Sequence, residues 1–98
     1  MSGPYATYGR PGVSHSVAYT GTAAKTTSPI SDNIFLVRVV LTTAGFIKIG
    51  PNAGLTATTS DMYLPAGVPE YFAVRAGEHI SAIQSASNGT MYITEMTH

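Results

Sequence analysis

Short stretches in which apolar and polar residues alternate make up most of the chain after its N-terminal segment. In the first of them, residues 13–19 (VSHSVAY), one parity holds Val13, His15, Val17 and Tyr19, and small residues occupy the other. A period of two is typical of a β-strand with one buried face. Turn residues recur at intervals of about 8–12 residues, which favours a β-sandwich or a barrel.

Six further segments are rich in the β-branched and aromatic residues that strands prefer. They span residues 34–43, 45–50, 56–64, 69–75, 79–85 and 90–96. The polar segment 20–33, interrupted by Gly21 and Pro29, is predicted to be a loop. No segment has a convincing helical period. The sequence therefore predicts an all-β protein: a single small antiparallel β-sandwich of about seven or eight strands, jelly-roll-like or immunoglobulin-like.

The segment at residues 34–43, IFLVRVVLTT, is the strongest predicted strand. Four residues of one parity are predicted to point into the core: Phe35, Val37, Val39 and Leu41. The opposite parity holds Ile34, Leu36 and Val40 together with Arg38. A strand that is apolar on both faces is central in its sheet or is covered by a neighbour.

The last two predicted strands are separated by Asn88-Gly89, a strong short-range signal for a β-hairpin. A two-residue type I′ turn there requires a positive φ at Gly89. Both faces of such a hairpin carry apolar residues: Ile80, Ala82, Met91 and Ile93 on one, and Ile83, Tyr92 and Met96 on the other. We therefore expect a longer loop, or an outer face covered by another strand, the N-terminal segment or a neighbouring subunit.

Residues 1–12, MSGPYATYGRPG, show no strand or helix period. We predict an extended N-terminal arm over residues 1–12 and a β-sandwich domain over residues 13–98; a disordered tail is the alternative for the arm. Tyr5, Tyr8 and Arg10 belong to residue types that anchor protein interfaces, and we predict that they bind a partner. The arm lacks the basic and apolar regions of a secretory signal, so we expect synthesis in a cytoplasm.

The chain is poor in charge. Only 10% of its residues are charged and its formal net charge is zero, whereas about 25% are charged in an ordinary soluble domain. A nucleic-acid-binding protein needs a basic face for phosphates, so we expect no nucleic-acid partner. No apolar run approaches the roughly 20 residues of a membrane-spanning helix, and we expect no membrane partner. A weakly charged surface gives little protection against association, which favours a protein that works in an assembly.

Few residues of the chain are candidates for catalysis or metal binding. The histidines, His15, His79 and His98, stand at no metal-ligand spacing. We predict that His15 is a satisfied or half-buried histidine and not a metal ligand, and that Glu78 and His79 are solvated at a turn. The chain has no cysteine, and no G-x-S-x-G nucleophile motif occurs in it. We expect no enzymatic activity, no catalytic residue, no cofactor and no metal site.

Three segments carry a resemblance to a known group of proteins: YLPAGVPEYFAV, HISAIQ and GTMYITE. Over residues 30–96, the chain resembles the small β-sandwich virion proteins of tailed bacteriophages. The resemblance implies a non-enzymatic structural protein, most often a capsid decoration or cement protein that binds the head surface and stabilises it. Its implied partner is the major capsid protein or another virion protein. It also implies location in the virion after synthesis in the bacterial host, and a homo-oligomer, of which we favour a trimer.

Two other functions fit the sequence. A structural protein of the phage tail, neck or fibre would have the same low charge and the same β architecture. A carbohydrate-binding β-sandwich module would need two or three exposed aromatic side chains that form a platform. Tyr63, Tyr71 and Tyr92 are the candidates for it, with core packing or interface burial as the alternative role of each.

Overall fold

The computed structural model describes residues 10–97, which form eight β-strands and no helix. The strands are β1 (Arg10–Tyr19), β2 (Ala24–Lys25), β3 (Leu36–Leu41), β4 (Gly45–Gly50), β5 (Met62–Leu64), β6 (Glu70–Ala73), β7 (His79–Gln84) and β8 (Gly89–Thr97). The all-β prediction is confirmed. The predicted strand over residues 56–64 is reduced to β5, because Thr58 and Asp61 close a turn in which the Thr58 N–H donates to Asp61 Oδ2 at 2.7 Å.

The strands pack as two four-stranded antiparallel sheets. Sheet A has the order β1-β8-β3-β6, and sheet B has the order β2-β7-β4-β5. Across the two sheets the first strand pairs with the last, the second with the seventh, the third with the sixth and the fourth with the fifth. This nested pairing is the connectivity of a jelly roll, the first of the two alternatives that the sequence left open.

The core lies between the inward faces of the two sheets. In sheet A it contains Val37, Val39 and Leu41 of β3, as the sequence predicts, next to Ile93 of β8, and all four are fully buried. Sheet B contributes residues of β4 and β7, among them Ile47, Ile80 and Ala82. Strand β8 pairs with β1 on one side and β3 on the other, so its side chains of inward parity are covered from both sides.

The prediction that Phe35 belongs to this core is wrong. Its side chain is 53% exposed, and β3 begins one residue later, at Leu36. The chain turns at Asn33, which has a left-handed φ of 63°, and Ile34 enters the core instead. Alternating parity holds only within a paired, extended strand, and this turn resets it.

A second irregularity affects the start of β1. Its pairing with β8 shifts register between Pro11 and Ser14, as at a β-bulge. Val13 falls in the shifted stretch and is exposed, whereas Val17 and Tyr19 of the same predicted parity are buried. The bulge therefore separates the outer end of β1 from its regular part.

The predicted hairpin about Asn88-Gly89 does not form. Strand β7 belongs to sheet B and β8 to sheet A, so residues 85–88 cross from one sheet to the other. Gly89 has no positive φ; among the glycines of residues 10–97, only Gly67 and Gly77 do. The inner faces of β7 and β8, with Ile80, Ala82, Met91 and Ile93, lie in the shared core, whereas Tyr92 on the outer face of β8 stays exposed.

Gly89 is nevertheless restricted, by packing instead of backbone angle. A Cβ on Gly89 would stand 2.6 Å from the Tyr19 hydroxyl and would also meet Thr43 Oγ1. The Tyr19 hydroxyl donates to the Thr43 carbonyl, and Thr43 Oγ1 donates to the Ser87 carbonyl at 3.0 Å. These bonds join the end of β1 to the β3–β4 turn and to the crossing segment, and leave no room for a side chain at residue 89.

Candidate functional site

The outward parity of β3 carries Leu36, Arg38 and Val40, none of them fully buried. The neighbouring strands extend this surface through the register of sheet A. Seven residues make up what we call the tyrosine–arginine face: Leu36, Arg38, Val40, Tyr71, Ala73, Tyr92 and Thr94. The sheet presents them on one side because residues that lie directly opposite in adjacent strands point the same way.

The two tyrosines of this face are strongly exposed. Tyr71 is 54% exposed and stands opposite Arg38, and Tyr92 is 49% exposed and stands opposite Val40. Two strand spacings and two residues of offset place them about 12 Å apart. Large amphipathic rings held on a rigid sheet bury much area on binding and lose little conformational entropy.

Arg38 lies at the centre of the face, with Tyr71 on one side and Thr94 on the other. The ion pair found among residues 10–97 joins His15 to Glu95, so the Arg38 guanidinium has no carboxylate partner in this part of the protein. Tyrosine and arginine are enriched among the residues that dominate protein-binding energy. The face therefore combines two exposed tyrosines with a central positive charge that no carboxylate of residues 10–97 pairs with.

The outer face of sheet B is different. Phe46 and Tyr63 form an edge-to-face pair with ring centroids 5.6 Å apart, and Ile83 lies opposite Phe46. Further along the sheet, the chain folds over the surface: Ala57 is buried, and its N–H donates to Ser81 Oγ at 2.9 Å. This segment covers part of the outer face of sheet B.

The three tyrosines that the sequence offered as a carbohydrate platform do not meet. Tyr71 and Tyr92 share the outer face of sheet A, whereas Tyr63 lies on the outer face of sheet B. Of the predicted partner-binding residues, Arg10 is the first residue of β1, exposed and opposite Thr97. Tyr5 and Tyr8 lie outside the described residues.

A buried carboxylate forms the most polar cluster of the interior. Glu95 is 1% exposed, although it follows Met91 and Ile93 on the inward parity of β8. Its Oε2 accepts a hydrogen bond from His15 Nε2 at 2.9 Å, and bonds from the N–H and Oγ of Ser31 at 3.1 and 3.2 Å. The prediction of a satisfied His15 is confirmed. The sequence signal was available: a histidine and a glutamate each occupy an apolar parity, and each needs a partner.

This cluster is not a nucleophilic triad. In such a triad the histidine lies between the nucleophile and the acid, and accepts the nucleophile's proton. Here the carboxylate lies between His15 and Ser31, and no hydrogen bond joins those two residues in the described structure. The cluster holds the loop containing Ser31 against the end of sheet A, which is a structural role.

The pKa of Glu95 reflects competing effects. Burial raises the pKa, but the hydrogen bonds from His15 and Ser31, together with the charge of His15, outweigh it and hold the pKa below its ordinary value of 4.5. A carboxyl group with a lowered pKa in the folded state stabilises the fold at pH values above its unfolded pKa. That stabilisation is lost as the pH falls through the folded pKa.

We therefore expect Glu95→Gln to lower the free energy of unfolding by about 1–3 kcal/mol at pH 7, because charge-assisted hydrogen bonds are lost from a buried site. The difference from wild type should narrow as the pH falls from 7 to 3, because pH 3 lies below the ordinary carboxyl pKa of 4.5 and protonation of Glu95 then favours the unfolded wild type. Urea unfolding of both proteins at pH 7 and at pH 3 measures this difference in the free energy of unfolding. A difference that stays constant between pH 7 and pH 3 would contradict an ionised Glu95.

The prediction that Glu78 and His79 are both solvated is wrong for His79. Its ring is buried, and Nδ1 lies 3.0 Å from the carbonyl oxygen of Thr26, which it bonds across the β2–β7 edge. Glu78 Oε1 accepts the Arg75 N–H at 2.7 Å and closes the β6–β7 turn. A depression of about 160 Å³ beside this turn is lined by Ala73, Val74, Arg75 and Glu78, which is smaller than ligand clefts of roughly 300–1,000 Å³.

Within residues 10–97, no group of three or more metal-ligating side chains is placed to hold an ion. The same part of the chain contains no helix long and apolar enough to cross a membrane. No family model, curated protein or solved structure matches the chain.

Proposed function

We propose that this chain is a non-enzymatic structural protein of a tailed-bacteriophage virion, a capsid decoration or cement protein that binds the head surface and stabilises it. In this proposal the tyrosine–arginine face contacts the major capsid protein. The N-terminal arm with Tyr5 and Tyr8, together with Arg10 at the start of β1, adds a second contact, and the protein acts as a homo-oligomer.

The observation that carries the proposal is the composition of the tyrosine–arginine face. A sheet face that only met water would be expected to carry charged and small polar residues. Here its described centre carries Leu36, Arg38 and Val40, with Tyr71 and Tyr92 half exposed at its flanks. Aromatic residues and arginine surrounded by aliphatic ones are the composition of an interface core.

The fold and the charge add support. Eight-stranded jelly rolls are common in viral capsid proteins, although they also occur in lectins, so the fold alone is an argument by analogy. The zero formal net charge means that many copies can lie side by side without strong mutual repulsion. A decoration protein is present in many neighbouring copies and needs this property.

Three of the five carboxylates have structural roles that give no support to a catalytic pair. Asp61 and Glu78 each accept a backbone N–H and close a turn, and Glu95 is held by His15 and Ser31. A glycosidase-type pair needs two carboxyl groups that face each other across an open cleft. These three side chains are instead used to hold loops in place.

The alternative location in a tail, neck or fibre would use the same face against a different virion protein. A carbohydrate-binding module has less support, because its three candidate tyrosines are divided between opposite faces of the sandwich. Tyr71 and Tyr92 remain on one face, about 12 Å apart, with Arg38 between them.

The location is tested on purified virions of the phage that encodes the chain. Mass spectrometry should find it in particles banded in a density gradient, and gold-labelled antibody should mark the heads. Labelling of tails, necks or fibres would replace the decoration role with the alternative one. Absence from banded virions, with the chain present in the lysate, would contradict a virion protein.

A further inference from the structure

The four edge strands of the sandwich are unequal. In sheet B the edges are β2, with two residues, and β5, with three; in sheet A they are β6, with four, and β1, with ten. Short edges give a neighbouring chain little to pair with, and proteins use them to prevent unwanted association. Strand β1 is the exception.

The hydrogen-bond directions show which backbone groups of β1 point outward. The Thr42 N–H donates to the Thr90 carbonyl, and the Thr90 N–H donates to Thr42 Oγ1, so the main chain of Thr90 faces the β3 side. Alternate residues of an antiparallel strand bond to opposite neighbours, so Met91 and Ile93 of β8 face β1. Their partners there are Val17 and His15.

It follows that the N–H and C=O groups of Ser14, Ser16 and Ala18 point away from β8, to the outer edge of sheet A. The next residue of this parity confirms the direction, because the Thr20 carbonyl accepts a bond from the Gln84 N–H in sheet B. Sheet B thus closes the edge at Thr20. From Ser14 to Ala18, no backbone partner for these outward groups is found among residues 10–97.

On its outward side, this open stretch lacks the features that usually protect an edge strand. Lysine, proline and inward-pointing charges are the features that commonly prevent an edge strand from pairing with another chain. Pro11 and the bulge lie before Ser14, but residues 14–18 contain no proline and no lysine, and their outward side chains are those of Ser14, Ser16 and Ala18. Small, uncharged side chains allow another strand to approach closely.

We propose that this edge pairs with the same edge of a second copy, β1 against β1 in antiparallel orientation, about a two-fold axis at Ser16. Ser16 then stands opposite its own copy, and Ser14 stands opposite Ala18. Each of these pairs exchanges two main-chain hydrogen bonds, about six in all. The segment is self-complementary because its outward side chains are uncharged and because its three outward residues are evenly spaced about Ser16.

The pairing joins two copies of sheet A into one continuous eight-stranded sheet. Tyr92 lies next to Ser16 across the β1–β8 ladder, so the two copies of Tyr92 stand three strand spacings apart, about 14 Å. The dimer therefore presents two tyrosine–arginine faces side by side. Two linked faces would bind a repetitive surface far more tightly than one does.

A single cysteine tests this geometry, since the natural chain has none. Opposed residues of a hydrogen-bonded pair have Cα atoms about 5.5 Å apart, within the range that a disulfide spans. We expect the full chain with Ser16→Cys to form a covalent dimer on mild oxidation. It should do so about tenfold faster or more than Ser60→Cys, an exposed loop control, because pairing raises the local thiol concentration.

Sedimentation equilibrium of the full chain gives a second, non-covalent readout. Wild type should sediment as a dimer, and Ser16→Lys should raise the dimer dissociation constant about tenfold or more by placing two like charges opposite each other. The control Ser60→Lys and deletion of residues 1–9 should leave the dimer unchanged. Both experiments use purified chain without particles, so they succeed or fail independently of virion binding.

Four results would overturn the proposal: a wild type that stays monomeric at every concentration, a trimer that Ser16→Lys does not affect, a dimer lost with residues 1–9, or equal crosslinking rates for the two cysteine variants. A monomer whose binding to particles is weakened by Ser16→Lys would assign the edge to a strand of another protein. The trimer favoured by the sequence stays a prediction that the same experiment decides, because a two-fold contact closes at two copies.

Discussion

Replacing Ile93 by alanine is expected to lower the free energy of unfolding by about 2–5 kcal/mol. Ile93 is fully buried on β8, the strand between β1 and β3, and stands opposite His15 on one side and Val39 on the other. A central strand has little freedom to move into the space that the lost atoms leave. The expected loss is a large part of the roughly 5–15 kcal/mol that stabilises a domain of this kind.

Phe35→Ala is the matched control for this prediction. It removes a larger apolar side chain, but one that is 53% exposed and lies outside β3. We expect it to lower the free energy of unfolding by less than about 1 kcal/mol, since little apolar area leaves the core. Urea unfolding followed by circular dichroism measures both variants. Equal losses would contradict the core described above and would return Phe35 to the position that strand parity predicts.

The strands could be predicted because their signals are local. Alternating parity identified the regular part of β1 and the inner face of β3 at Val37, Val39 and Leu41, and the flanking glycines identified the limits of β4 at Gly45 and Gly50. Each of these features depends on a residue and its near neighbours in sequence. Parity predicted the wrong face for a side chain at two irregularities of the backbone: the left-handed turn at Asn33 and the bulge after Pro11.

The pairing of strands could not be read in the same way. Asn88-Gly89 has the composition of a tight hairpin turn, yet β7 pairs with β2 and β4, and β8 pairs with β1 and β3. Burial of both inner faces in a shared core is a property of the whole sandwich, and it outweighs the preference of two turn residues. The sequence therefore predicted which residues of β7 and β8 share a face, but it did not predict that the two strands belong to different sheets.

The tyrosine–arginine face shows the same limit. The sequence placed Arg38 on the second face of β3 and predicted that this strand is central in its sheet or is covered by a neighbour; the structure shows that it is central. It offered Tyr71 and Tyr92 as candidates for a carbohydrate platform that also included Tyr63. That they flank β3 on one surface depends on β6 and β8 being its two neighbours. No local pattern predicts that order, because it is set by the nested pairing of the whole chain.

Reversing the charge at the centre of this face should have the largest effect on binding. Arg38→Glu removes the residue type most suited to bidentate contacts and places a carboxylate between Tyr71 and Thr94. Truncation of a central interface residue costs about 2 kcal/mol or more, and charge reversal adds repulsion. We therefore expect affinity for phage particles to fall about 30-fold or more.

Lys48→Glu is the matched control. Lys48 lies on β4, an inner strand of sheet B, and its exposed side chain has the outward parity of the opposite face of the sandwich. The two variants change the net charge equally, so a difference in their affinity for particles shows which face of the sandwich binds. Urea unfolding must show that both remain as stable as wild type.

The most direct test of virion binding through sheet A is a binding isotherm on phage particles that lack this protein, prepared from a phage in which its gene is deleted. Wild type and Lys48→Glu are expected to saturate the particles with similar dissociation constants, and Arg38→Glu to bind about 30-fold more weakly or not at all. Equal binding of all three proteins, or a loss confined to Lys48→Glu, would contradict the assignment of the tyrosine–arginine face as the binding surface.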